Sequence, residues 1–176
     1  EQAYMWANPQ NAASSDNLYA QASIVWDDNS DRLAATNFGF NIPQTATIDG
    51  IRVDIEKKAT GLIYDWYLKI IKNGVVTGTN HALTSLWPTT SDGWKVYGSP
   101  TDLWGTMWTP TDINANNFGV SINVVSGDQS SGIAYIDQIK ISVYYTMNTP
   151  SAPSNLVAST VSTSQINLAW NDNSND

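Results

Sequence analysis

Apolar side chains in this sequence recur at every second position over long stretches, and this period restricts the fold more than any other feature. Ile51, Val53 and Ile55 alternate with charged residues, and residues 118–124 and 139–145 show the same alternation. Successive side chains of a β-strand point to opposite faces, so the pattern predicts strands with one buried and one solvated face. We therefore expect an all-β, antiparallel β-sandwich.

Two segments of the sequence resemble each other. The run NFGFNI at residues 37–42 recurs as NFGVSI at residues 117–122, and an alternating strand follows each copy, at residues 51–55 and 139–143. We expect Phe38, Phe40 and Ile42 to point inward from a strand. The two strand pairs should then face each other across one core, as in a jelly-roll-like sandwich. Chance similarity of two short β patterns is the alternative.

Two short segments carry turn and helix signals. Asn73 and Gly74 follow an aromatic and β-branched run, and this pair is the one best able to adopt positive φ at both central positions of a hairpin turn. Residues 109–112 read Thr-Pro-Thr-Asp, which fits an N-cap, a first-turn proline and an acidic residue three positions after the cap. A β-hairpin at residue 73 and a single helical turn at residue 110 are predicted.

Composition and charge exclude several classes of function. Sixteen acidic and eight basic residues give a net charge of −8, so we expect no nucleic acid or anionic membrane partner. The chain has no cysteine and one histidine, His81, which leaves no zinc-thiolate site or nucleophilic triad to assemble. Its acidic residues single out no pair for glycoside cleavage. No apolar run is long enough for membrane insertion. A non-enzymatic protein that requires no cofactor is expected.

The composition changes near residue 147. Residues 147–152 form a linker rich in small and polar residues, which separates a first domain at residues 1–146 from a short segment at residues 153–176. In that segment, residues 153–158 and 165–170 resemble the first two strands of a fibronectin type III (Ig-like) domain. A full domain of that kind needs roughly 100 residues and seven strands, so the segment is an incomplete one.

Several runs in the first domain together resemble a known class of module. They are SDNLYA at residues 15–20, NFGFNIP at 37–43, IDGI at 48–51, DLWG at 102–105, FGV at 118–120, AYID at 134–137 and VYYT at 143–146. The chain resembles β-sandwich modules of phage tails, other virion-associated proteins and large prokaryotic surface proteins. The resemblance implies an extracellular, cell-surface or virion location, with other subunits or domains of a surface assembly as partners. It carries no catalytic motif.

Aromatic residues are the candidate ligand contacts. Indole and phenol rings stack on the apolar faces of sugars, and neighbouring polar side chains bind hydroxyl groups. Among the eight Trp, Trp87 and Trp94 lie beside turns, and Tyr67 falls on the face opposite to the apolar residues of its strand. Glycan binding through Trp87, Trp94 and Tyr67 is therefore one hypothesis. Core packing of these rings is the alternative.

Asp137 is a candidate for a structural calcium site. It shares parity with Ile139 and Ile141, which places its carboxylate inside, and a buried carboxylate must be paired, hydrogen-bonded or bound to metal. Asp16 or Asn17 is the expected partner. A structural Ca²⁺ at Asp16 and Asp137 is one interpretation, and hydrogen bonds from backbone amides to Asp137 are the other.

Three functions follow from these patterns. The leading hypothesis is a non-catalytic structural or adhesive module of a phage tail, surface appendage or multidomain adhesin. The second is a carbohydrate-binding module of a secreted glycan-degrading enzyme. The third is a filament subunit that polymerises when Ile166, Leu168 and Trp170 of the C-terminal segment complete a neighbouring sheet by strand addition. A chain that stops inside a longer protein is the alternative to the third hypothesis.

Overall fold

A computed structural model describes residues 4–25, 28–127, 131–147 and 150–174. The chain forms two compact units, the first ending at Thr146 and the second beginning at Met147. Asn148 and Thr149 of the predicted linker lie outside the described residues. None of the helices among the described residues has the length and apolar character needed to cross a membrane.

The first unit consists of two antiparallel four-stranded sheets. The first sheet has the strand order β1-β8-β3-β6 and the second the order β2-β7-β4-β5. The strands are β1 Ala20–Ile24, β2 Leu33–Thr36, β3 Ala46–Thr60, β4 Ile63–Lys72, β5 Val75–Thr77, β6 Gly93–Gly98, β7 Gly119–Ser126 and β8 Gly132–Met147. A 3-10 helix, Pro9–Ala12, precedes β1, and one α-helix, α1 Pro110–Asn114, precedes β7.

The strand order has a simple rule. β4 pairs with β5, β3 with β6, β2 with β7 and β1 with β8, always antiparallel. The first four strands therefore run alongside the last four in reverse order, and the paired strands alternate between the two sheets. Eight strands in two sheets with this nested pairing form a jelly roll. The all-β, jelly-roll-like sandwich predicted from the sequence is confirmed.

One apolar interior lies between the two sheets. Val53 of β3, Val120 of β7 and Ile141 of β8 belong to the same buried cluster, and Phe38 packs against it. The alternating residues Ile51, Val53 and Ile55 are fully buried, as their period predicts.

The hairpin turn at residue 73 and the helical turn at residue 110 both form as predicted. Asn73 and Gly74 have φ values of 52° and 77° and join β4 to β5. Thr109 caps α1: its side chain accepts a hydrogen bond from the Asp112 amide, and the Asp112 carboxylate accepts one from the Thr109 amide. Together these contacts form a capping box.

The predicted strand at residues 37–42 is wrong. The strand β2 ends at Thr36, because Asn37 and Gly39 adopt φ values of 62° and 72°, which β-strand geometry does not accommodate. Phe40 is nonetheless directed to the core side, where its ring lies 5.8 Å from that of Phe118. The alternating strands β3 and β8 lie side by side in the first sheet and do not face each other. The repeat therefore reflects similar local sequence without equivalent structure.

The second unit is an antiparallel hairpin of β9 Ser154–Ser162 and β10 Gln165–Asn171. Ile166, Leu168 and Trp170 alternate along β10, and all three are more than half exposed. Within the described part of this unit there is no third strand to cover them. The fibronectin type III resemblance of this segment stays a prediction.

Candidate functional site

A groove crosses the outer face of the second sheet. It is lined by Arg32, Tyr67, Lys69, Val76 and Ser121 and has a volume of about 290 Å³. We call it the Tyr67 groove. Strand register explains why these residues lie together, because Ser121 of β7 pairs with Lys69 of β4. The small side chain of Ser121 forms the floor of the groove between longer side chains on the neighbouring strands.

A β-bulge in β4 exposes two adjacent aromatic rings. The pairing of β4 with β7 shifts between Asp65 and Tyr67, so one extra residue, Trp66, interrupts the alternation. As a result Trp66 is half exposed, although it shares parity with the core residues Leu68 and Ile70. Tyr67 is 42% exposed, and its ring lies 5.6 Å from that of Trp66 in an edge-to-face arrangement. The bulge thus presents a Tyr ring at the groove.

Next to Tyr67 lies a buried polar group that has no partner. Asn123 of β7 is the register partner of Tyr67. It is only 9% exposed, and its Oδ1 atom is buried without a hydrogen-bond donor. Leaving a buried acceptor unpaired costs about 1–3 kcal/mol, so native proteins rarely retain one without a reason.

The groove carries two positive charges. Arg32 immediately precedes β2, and Lys69 lies on β4. Their strands flank β7 on opposite sides, because the order in this sheet is β2-β7-β4. Among the described residues neither cation has an Asp or Glu oxygen within 4.0 Å, and no carboxylate lines the groove. The groove therefore combines an aromatic ring, a hydroxyl and two cations, and the Asn123 amide lies beside it as the register partner of Tyr67.

The interior contains a separate polar cluster that joins the two sheets. Lys57 of β3 donates to the Asp65 Oδ1 atom of β4 at 2.6 Å and also donates to the Tyr97 hydroxyl. Tyr97 of β6 donates to the Asp65 Oδ2 atom at 2.8 Å, and the Leu83 amide donates to the same oxygen at 3.0 Å. Asp65 is thus a buried carboxylate with several donors, and it anchors both sheets and the following loop.

Trp87 belongs to this interior cluster. Its indole Nε1 atom donates to Asp65 Oδ1 at 2.7 Å, the Lys57 ammonium lies 4.3 Å from its ring centre, and only 2% of Trp87 is exposed. A ring in this position cannot stack on a sugar. The prediction that Trp87 contacts a glycan is therefore wrong, because the loop that carries Trp87 folds its side chain onto a buried carboxylate.

Burial changes the protonation of this cluster and makes stability depend on pH. It lowers the pKa of Lys57 from 10.5 to about 8, despite the opposing attraction of Asp65. The unfolded chain then binds a proton that the folded chain releases, so stability rises with pH above about 8. Burial also raises the pKa of Tyr97, which lowers stability again above about pH 10, where an unfolded Tyr ionises.

We expect the free energy of unfolding to rise between about pH 8 and pH 9.5, by an amount on the order of 1–2 kcal/mol. Urea titrations at constant ionic strength measure it, because urea is uncharged. The Lys57→Met variant removes the titrating group and should lose this rise. A flat or falling profile in the unsubstituted chain over this interval would contradict the assignment.

Trp94 lies on the other side of the molecule, on the outer face of the first sheet. It is 39% exposed, and the Lys140 ammonium sits 3.6 Å from its ring centre. Lys140 thus occupies one face of the indole. Because Trp94 on β6 and Tyr67 on β4 belong to different sheets, they do not form one site.

The Asp16 and Asp137 pair is in contact, through backbone amides. Asp137 Oδ1 accepts from the Asp16 and Asn17 amides at 3.2 and 3.1 Å, and the Asp16 carboxylate accepts from the Leu18 amide at 3.0 Å. This geometry corresponds to the second interpretation of Asp137, since both carboxylates already accept N–H groups. The described residues contain no cluster of three or more His, Asp or Glu side chains able to hold a metal ion. Calcium binding itself stays an untested prediction.

Sequence patterns indicated Tyr67 but missed the rest of its groove. Ser121 and Asn123 alternate with the inward residues Val120, Ile122 and Val124, which placed them on an outer face. No local signal linked them to Arg32 or Lys69, because the three strands become neighbours only through long-range pairing.

Comparisons with known proteins give one structural likeness. No protein-family model and no curated protein matches the chain. A solved structure described as "CBM4 structure and function" is similar, with a TM-score of 0.42 and 10% sequence identity over 74% of this chain and 87% of that one. The jelly-roll assignment of this chain follows from its own strand order.

Proposed function

We propose that the first unit binds carbohydrate in the Tyr67 groove without cleaving it. The observation that carries the proposal is the exposed Tyr67 ring beside the buried, unpartnered Oδ1 atom of Asn123. A sugar offers what each group lacks, because its C–H face stacks on an aromatic ring and its hydroxyl groups donate hydrogen bonds to an amide oxygen.

Access to Asn123 requires a side chain to move. Its Oδ1 atom is covered, and Tyr67 lies directly across the strand pair from it. We take Tyr67, which is only partly packed, to turn outward when a hydroxyl group binds. A volume of about 290 Å³ is at the lower end for small-molecule sites, so the groove suits a short stretch of glycan.

The lining of the groove favours binding over hydrolysis. Glycosidases act through a pair of carboxylic acids that flank the scissile bond. The described residues of the groove include no Asp or Glu. A module of this kind holds a glycan for adhesion or targeting, while any cleavage belongs to another domain.

The Tyr67→Ala variant of the full chain should lose at least tenfold in affinity for any glycan that the unsubstituted chain retains on an array. A bound sugar would bury the Tyr67 ring, and the free energy lost with this contact exceeds the 1.4 kcal/mol that corresponds to a tenfold change in affinity. Titration calorimetry measures the change. Trp94→Ala, on the other sheet, is the matched control and should bind normally. Retention of no glycan, or equal binding by Tyr67→Ala, would refute the proposal.

Asn123→Leu separates a binding role from a structural one. Replacing an unpaired buried amide by an apolar side chain of similar shape should leave stability unchanged or raise it. Glycan affinity should fall in the same variant. Loss of stability together with unchanged affinity would mean that Asn123 serves packing alone.

A role as a structural unit of a phage tail, surface appendage or adhesin remains part of this proposal, as does an extracellular location. Adhesion through a bound glycan unites the leading hypothesis with the second one. The filament hypothesis rests on a different feature, the exposed apolar residues of the C-terminal hairpin. It stays a prediction.

A further inference from the structure

We infer that the Tyr67 groove selects glycans that carry a negatively charged group, a carboxylate or a sulfate. This inference rests on the proposed function and specifies its ligand. It concerns the two cations of the groove, Arg32 and Lys69, neither of which forms an ion pair among the described residues.

Four of the eight Lys and Arg residues of this chain lie within ion-pair distance of an Asp. Arg52, Lys57, Lys58 and Lys72 each approach an Asp oxygen at distances from 2.6 to 3.9 Å. Acidic residues outnumber basic residues by sixteen to eight. Against this excess of partners, Arg32 and Lys69 have no carboxylate within ion-pair distance among the described residues, and both line one groove.

The remaining two lysines are accounted for differently. Lys140 lies over the Trp94 ring at 3.6 Å. Lys95 is on β6 near the interior cluster, where its charge contributes to the lowered pKa of Lys57. Neither lies in the groove. Among the described residues, Arg32 and Lys69 are therefore two cations that share one surface groove and have no carboxylate within ion-pair distance.

The arrangement suits an anion between the two strands. Arg32 and Lys69 approach from either side of β7, with the Ser121 hydroxyl on the floor between them. A guanidinium binds a carboxylate or sulfate through two parallel hydrogen bonds, and an ammonium adds a point charge. The Lys69 ammonium lies 5.7 Å from the Tyr67 ring centre, which keeps its charge beside the stacking surface.

The net charge of the chain affects how the inference is tested. A charge of −8 repels an anionic ligand at long range, whereas the two cations attract it at contact. Added salt weakens both effects, so the salt dependence of affinity does not isolate either one. Substitution of a groove cation isolates the contact attraction when it is compared with substitution of a cation outside the groove, because both make the same change in net charge.

The test measures affinities for a uronic acid oligosaccharide, the same oligosaccharide with its carboxylates reduced to alcohols, and a sulfated oligosaccharide of equal length. Calorimetry uses the full chain, Arg32→Gln, Lys69→Gln, and the control Lys140→Gln, which removes a cation that contacts Trp94 on the other sheet. We expect the unsubstituted chain to bind an anionic form at least tenfold more tightly than the neutral one. Each groove variant should lose most of this preference, and the control should keep it.

The outcomes separate this inference from the proposed function. Equal affinity for the anionic and neutral forms, with a loss in Tyr67→Ala, overturns the inference and leaves glycan binding intact. A preference that Arg32→Gln and Lys69→Gln do not alter also overturns it. Preference for either the carboxylated or the sulfated form supports it and identifies the group. No binding of any of the three forms overturns the inference, and the glycan array then decides whether the proposed function stands.

Discussion

Asp65→Asn should destabilise the first unit by about 3–5 kcal/mol. The substitution keeps the shape of the side chain but removes the charge that compensates the Lys57 ammonium, and an unpaired buried charge carries a penalty of this size. Lys57 is fully buried, with its Nζ atom 2.6 Å from Asp65 Oδ1. Guanidinium unfolding followed by near-ultraviolet circular dichroism measures the loss.

Removing the cation of the pair, in Lys57→Met, should destabilise the first unit less than Asp65→Asn does. In Lys57→Met, Asp65 still accepts hydrogen bonds from Trp87, Tyr97 and the Leu83 amide, so the carboxylate stays solvated by neutral donors. The double variant Lys57→Met with Asp65→Asn should cost less than the sum of the two, because both substitutions remove the same interaction. A loss below about 1 kcal/mol in Asp65→Asn, or additive losses, would show that the pair contributes little.

Trp104→Ala should also cost about 3–5 kcal/mol, the range for truncating a fully buried aromatic ring. Trp104 has no exposed surface, its Nε1 atom donates to the Ile51 carbonyl at 2.8 Å, and the His81 ring lies 4.1 Å away. The truncation leaves a cavity and an unpaired backbone carbonyl. Denaturant titration of the full chain is the appropriate measurement.

Two further variants divide this loss between packing and hydrogen bonding. Trp104→Phe retains much of the volume but lacks the donor, so it should lose about 1–3 kcal/mol. Trp94→Ala removes a partly exposed indole that contacts Lys140, and should lose no more than about 1 kcal/mol. Comparable losses in Trp104→Ala and Trp94→Ala would contradict the burial of Trp104.

The core residues were predictable where apolar and polar residues alternate regularly along a strand. Ile51, Val53 and Ile55 reach the core because each second side chain of β3 has to face the same way. The same period carried a further signal: Lys57 shares parity with these residues, and a buried ammonium requires an anionic partner. The sequence did not identify Asp65 as that partner, since a bulge follows it in β4.

Predictions failed where the backbone left its regular conformation. Positive φ at Asn37 and Gly39 prevented the strand expected at residues 37–42. The bulge likewise exposes Trp66, although Trp66 shares parity with the core residues Leu68 and Ile70. The position of Trp87 depended on a loop whose path is set by a hydrogen bond to a carboxylate on another strand. Each of these features departs from the regular alternation of strand residues, and the alternation by itself does not predict where such departures occur.

The sequence by itself determined the all-β class, the alternating core, the turn at Asn73 and the capping box of α1, because all of these depend on neighbours within a few residues. Only the tertiary structure decided which strands became neighbours. That pairing brought Arg32, Tyr67 and Lys69 together around β7 and enclosed Lys57 with Asp65. The groove and the buried ion pair are products of long-range strand order, which short-range periodicity does not encode.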